Sequence, residues 1–245
     1  MGLVMYIYNK VASTGWKRAA VLTLANCCLA FTTAAAQEAP EYRMEIGGGV
    51  GLINYLGDYN GNLLQNLQPM GTAIAKYRPN PRMAWTLSVS YGKLKGDIGD
   101  ADTWFPEADT RLPQKFSNGV VDGGVRFEYN FWAYGTGREY YGAKPIAPFV
   151  ALGLGVTYAD TPDGGVTAGN MAMGAGVKYK IAERLNLVAE WRIHFTNSDR
   201  LDGVSDPYTI RSNGLFKNTD CYSMLQIALT YDIWAKCKTC NNDRD

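Results

Sequence analysis

After its first forty residues the sequence has no apolar run long enough to cross a membrane as a helix, which takes about 20 consecutive residues. It also lacks a surplus of charge. Its 24 basic residues stand against 23 acidic ones, a formal net of +1, which argues against a nucleic-acid binder, since such proteins carry basic excess to neutralise phosphates. Histidine occurs once, at His194. Cysteine is sparse, with five in 245 residues. What the chain does have is 27 glycines, 16 tyrosines and 6 tryptophans.

The N-terminus reads as an export signal. Lys17 and Arg18 precede an apolar run that closes on Ala34, Ala35 and Ala36, a small-x-small cleavage pattern. The expected mature chain starts near Gln37. Cleavage removes Lys10, Lys17 and Arg18 and no acid, leaving 21 basic against 23 acidic residues. Cys27 and Cys28 leave as well, so Cys221, Cys237 and Cys240 remain, and an odd number does not suggest a disulfide framework.

From residue 42 onward the chain alternates with period two. In 42–53 Tyr42, Met44, Ile46, Val50 and Leu52 fall on one face, and Arg43, Glu45, Gly47, Gly49 and Gly51 on the other. In 120–131 Val121, Val125, Phe127, Tyr129 and Phe131 oppose Asp122, Gly124, Arg126, Glu128 and Asn130. In 187–196 Leu187, Ala189, Trp191, Ile193 and Phe195 oppose Glu190, Arg192, His194 and Thr196. A helix would scatter these residues around its axis, whereas a strand sorts them onto two faces. The pattern predicts eight strands, over 42–56, 69–78, 82–95, 117–131, 146–158, 167–180, 185–197 and 219–234. The polar face mixes charges with glycine and alanine, as the crowded interior of a narrow barrel requires. An all-β, eight-stranded antiparallel transmembrane barrel of OmpA or OmpX size, spanning 37–234, is the expected fold, with its apolar face to lipid. The expected setting is the outer membrane of a Gram-negative-type bacterium, with both termini in the periplasm.

The connections then alternate in length: 57–68, 96–116, 159–166 and 198–218 at one end, 79–81, 132–145 and 181–184 at the other. Residues 132–145 are longer than the short inner turns of such barrels. Aromatic residues near strand ends, among them Tyr55, Tyr77, Tyr91, Trp132, Tyr134, Tyr158, Tyr179, Tyr231 and Trp234, are candidates for interfacial girdles. Residues 235–245 form a polar tail.

The stretches "YLGDYNGNL", "FEYNFWAYG", "GAGVKYKIAERLNLVAEW" and "SDRLDGVSDPY" together resemble the PorG-type family, small outer-membrane barrels of the Bacteroidota type IX secretion system. The resemblance runs from about Glu41 to Trp234. Its most specific part is a loop motif, Asp199, Leu201, Asp202, Val204 and Ser205, with Arg200 where the family more often has an aromatic residue. The resemblance implies a non-enzymatic accessory to type IX secretion that contacts periplasmic ring proteins. The alternative is a generic OmpX-like structural or adhesion barrel, and a third reading is a lipid A-modifying enzyme.

The third reading rests on His194, Phe195, Thr196 and Asn197, which faintly echo the His-x-Ser-Asn signature of barrel deacylases. Threonine replaces the nucleophile, and a lumen-facing His194 would not meet a lipid substrate. Arg43, Glu45, Asp122, Arg126, Glu128, Glu190, Arg192 and His194 are instead expected to form a polar network in a lumen just wide enough for side chains. Mixed signs favour a plug over a conducting pore, because buried charges must be paired. The acidic stretch 96–109 lacks the spacing of a calcium loop. Cys237 and Cys240 are a candidate thiol pair without the two further ligands that zinc needs. No metal, cofactor or small-molecule substrate is expected; outer-membrane lipid and periplasmic ring proteins are the expected partners.

Overall fold

The computed structural model describes residues 42–57, 62–97, 115–136, 143–162, 164–198, 200–201 and 220–235. The expected leader 1–36, the tail beyond Ala235 with Cys237 and Cys240, and the loop-motif residues Asp199, Asp202, Val204 and Ser205 lie outside them. The strands are β1 (Tyr42–Leu56), β2 (Gln68–Asn80), β3 (Met83–Asp97), β4 (Lys115–Asn130), β5 (Ile146–Thr161), β6 (Gly164–Lys180), β7 (Leu185–Thr196) and β8 (Cys221–Ala235). Each pairs antiparallel with the next, and β1 pairs with β8, so the sheet closes into a barrel. The outer connection expected at 159–166 is much shorter, because β5 and β6 stay paired as far as Thr161 and Gly164.

Alternation sorts the wall as the sequence pattern requires. In β3 exposed Trp85, Leu87, Val89 and Tyr91 alternate with buried Ala84, Thr86, Ser88 and Ser90. The outward residues are the large apolar ones: Val50 and Leu154 are each 71% exposed and Ile227 is 59%. An apolar belt of this extent would be a liability in water and suits lipid. Closure pairs the strand edges that a bilayer could not satisfy. Apolar side outward, polar side inward and no open edge are the features of a transmembrane barrel.

Glycine lets the strands approach inside the curve. A Cβ on Gly47 would collide with the Leu229 carbonyl oxygen of β8, and one on Gly153 with the Val125 carbonyl oxygen of β4.

The alternation fails at the start of β1. Arg43, expected in the lumen, is exposed, while Tyr42, expected outside, is only 8% exposed. Regular pairing joins Tyr42 to Ala235 and Met44 to Ile233 but skips the position between them. There Trp234 takes a left-handed conformation, φ 63°, which is an outlier for a bulky residue and turns β8 locally. Parity therefore no longer sorts faces at this rim, and Arg43 sits at its exposed edge. Tyr42 points its hydroxyl to Glu183, 3.4 Å away, with the Arg184 guanidinium 5.4 Å from its ring centre.

Candidate functional site

The polar side chains that the strands turn inward form one stack along the barrel axis. At the end where β1 begins and β8 finishes, Arg78 of β2 bridges Glu45 of β1 at 3.0 Å and Asp232 of β8 at 2.6 Å. Lys180 of β6 pairs with the second oxygen of the same Asp232. One layer further in, Glu128 of β4 accepts Lys76 on both oxygens, at 3.0 and 3.2 Å, and Lys178 on one of them at 2.6 Å. The Thr86 hydroxyl donates to the same carboxylate at 2.6 Å. In the middle layer Glu190 lies 3.5 Å from Arg126 and accepts the Gln226 amide at 2.8 Å, while Gln226 accepts Arg192 at 2.9 Å. Nearest the loops, Asp122 accepts Asn170 at 2.7 Å and the Tyr222 hydroxyl at 2.8 Å.

Six cations, Lys76, Arg78, Arg126, Lys178, Lys180 and Arg192, and six acids, Glu45, Asp122, Glu128, Glu190, Asp220 and Asp232, are each less than a tenth exposed. Balance of this kind is what burial demands, since an uncompensated charge carries a penalty of several kcal/mol. Glu128, Arg192 and Asp232 are 0% exposed, so the lumen is filled at their levels.

Both ends are capped. At the end where β1 begins, Tyr134, just past β4 and 2% exposed, enters the barrel and its hydroxyl donates to Asn186 at 2.8 Å. Backbone bonds from Tyr134 to Pro81 (3.0 Å) and between Gly135 and Lys144 (3.1 Å) hold it. Burial, aided by Glu45 and Asp232 and opposed by Arg78, raises the phenol above its ordinary range, so it remains a donor. At the other end Leu201, 0% exposed, joins Ile53, Tyr55, Leu94 and Phe116. The Leu201 amide donates to Asp220 at 2.8 Å and its carbonyl accepts Asn118 at 2.7 Å. Tyr55 and Tyr134 thus belong to the interior and not to an interfacial girdle.

His194 lies inside the barrel, stacked on Tyr222 with ring centres 4.5 Å apart, its Nδ1 3.6 Å from Asp122. Thr196 does not meet it; the threonine hydroxyl turns to the carbonyl oxygens of Asp220 and Ser198. The two therefore do not form a base and nucleophile pair. Of the predicted inward residues, Glu45, Asp122, Arg126, Glu128, Glu190, Arg192 and His194 come together in the stack, and Arg43 does not. Sequence reasoning missed Lys76, Arg78, Lys178, Lys180, Asp220, Tyr222 and Asp232. The strand residues among them were readable from parity, as in Lys76-Tyr77-Arg78 and Lys178-Tyr179-Lys180, where outward tyrosines separate inward cations.

Fold and lumen define an eight-stranded transmembrane β-barrel with a filled, charge-balanced interior. The chain belongs to the family described as a domain of unknown function, DUF6089, whose profile matches residues 20–242. No curated protein matches the sequence. Among solved structures, Neisserial surface protein A is similar at 13% identity and TM-score 0.48, covering 78% of this chain and 97% of its own. The attachment invasion locus protein Ail of Yersinia pestis, solved with the heparin analogue sucrose octasulfate, is similar at 11% identity and TM-score 0.45, covering 79% and 99%. The N-terminal β-barrel domain of Pseudomonas aeruginosa OprF is similar at 13% identity and TM-score 0.42, covering 78% and 98%. Likenesses at this level carry no functional argument.

Proposed function

We propose that this chain is a non-enzymatic outer-membrane barrel that acts through protein contacts at its ends, as an accessory of type IX secretion meeting the periplasmic ring. The observation that carries the reading is the filled lumen. Among the described residues the lumen is packed with paired ions and filled near its two ends by Tyr134 and Leu201, which favours action through the barrel's surfaces over conduction. The apolar exterior supports residence in a membrane, and a closed barrel with an apolar band is the form that outer membranes hold. Support for a non-enzymatic role comes from His194, which is stacked inside the wall and away from Thr196. The secretion role is supported by the sequence resemblance and by the anchoring of Leu201, the one described residue among the five of the loop motif.

The test is co-purification from native outer membranes, with an affinity tag in a loop opposite the termini and mass spectrometry of the proteins retained with the barrel. Periplasmic ring proteins should be recovered, and lost when 132–145 or 235–245 is altered. A barrel that purifies alone under gentle extraction would overturn the secretion role and leave a structural or adhesion barrel.

A further inference from the structure

Outside the wall, at the loop end, residues 62–67 of the β1–β2 connection cover part of the lipid-facing surface of β1, β7 and β8. Between connection and wall lies an open cavity of about 730 Å³, within the roughly 300–1,000 Å³ of small-molecule sites. Leu52, Trp191 and Leu225 line it from the barrel, and Leu63, Leu64 and Leu67 from the connection. These wall residues are continuous with the apolar belt.

Three polar residues break this apolar lining: Asn62 of the connection, whose Oδ1 accepts the Leu64 amide at 3.1 Å, and two on the wall. Asn54 shares the outward parity of Leu52 yet is 1% exposed. Its amide nitrogen donates to the Asn62 carbonyl at 3.1 Å, which fixes the side chain's orientation, and its Oδ1 has no donor among the described residues. Ser223 is the cross-strand partner of Asn54 and is 5% exposed. Its Oγ accepts the Trp191 indole N–H at 2.9 Å, and its own proton has no acceptor among the described residues. Directly opposed strand residues have Cβ atoms about 4.5–5.5 Å apart. A buried acceptor lacking a donor therefore neighbours a donor lacking an acceptor on the outward side of the wall. A hydroxyl, which both donates and accepts, complements the pair.

We propose that this cavity binds a membrane lipid through an alkyl chain that bears a hydroxyl. The chain lies along the leucines, and the hydroxyl donates to Asn54 Oδ1 and accepts from Ser223. The proposal rests on the wall's immersion in lipid and on no protein partner.

Native mass spectrometry of the full chain in an amine-oxide detergent, which offers no hydroxyl, tests it with 1-tetradecanol and tetradecane as probes. The native protein should retain the alcohol about tenfold better than the hydrocarbon, as two modest hydrogen bonds of about threefold each allow. Asn54→Leu should lower the preference about threefold, leaving only the bond from Ser223, and Leu63→Trp, which crowds the cavity, should reduce both. If Asn54→Leu does not fold, Ser223→Ala should still lower the preference about threefold. Equal retention by the native protein, no retention of either probe, or a preference left undiminished in the Asn54 or Ser223 variant would overturn the proposal. Flotation of the protein with phosphatidylethanolamine–phosphatidylglycerol vesicles tests the immersion separately, so the two failures are distinguishable.

Discussion

Toward the chain termini the lumen is filled by ions, and toward the loops by rings and apolar side chains. In the first half Lys76 and Lys178 share Glu128, and Arg78 and Lys180 share Asp232. In the second, Ile53, Tyr55, Met70, Leu94, Phe116, Leu201 and Tyr222 form an apolar cluster into which only a few hydrogen-bonded groups are set. The difference teaches how one barrel closes its ends by two means. Where the interior is ionic, a connection inserts a tyrosine whose hydroxyl finds an amide and whose ring lies 5.5–5.9 Å from three cationic groups. Where it is apolar, the chain inserts a leucine and satisfies that residue's backbone with Asp220 and Asn118.

The largest effect should come from removing one charge of the ionic half. Glu128→Gln leaves two ammonium groups buried without their counter-ion and should cost about 3–5 kcal/mol, read as a shift in urea unfolding of the barrel refolded into micelles. Replacing Lys76, Glu128 and Lys178 together by Met, Leu and Met should recover most of that loss, because well-packed apolar groups of similar volume do not need the pair. If Glu128→Gln were as mild as a surface change, the ionic half would not be a closed compartment.

In the apolar half, Leu201→Ala should cost about 2–5 kcal/mol by the same assay, through lost burial and the cavity left behind. Tyr55→Phe should come next at about 1–3 kcal/mol, since it takes the phenol donor from buried Asp220. The smallest effect is expected from Tyr134→Phe, at about 0.5–1.5 kcal/mol, because the ring still fills the end and only the bond to Asn186 is lost. A Tyr134→Phe loss exceeding that of Leu201→Ala would reverse the contrast between the two caps.

Much of the fold is legible in the sequence for a local reason. Alternation belongs to the strand itself, so Arg126 and Glu128 announce their face through Val125 and Phe127 beside them. Strand bounds agree to within a few residues, except where paired β5 and β6 extend into the expected 159–166 loop. Arg43 departs from its expected place because parity holds only while the backbone stays extended and paired, and the left-handed Trp234 ends that condition. The groove beside Asn54 is invisible in the sequence, because parity places that residue in lipid and only the returning connection buries it.

By itself the sequence determined the number of strands and the faces of most of their residues, because each depends on neighbours two residues apart and on the sign of the transfer energy. Only the tertiary structure decided that Glu128 serves Lys76 and Lys178, residues about fifty positions away on either side. It also decided that Tyr134 fills one end and Leu201 the other. Those choices depend on which side chains curvature brings across the lumen to the same height, and nothing within a single strand encodes that distance.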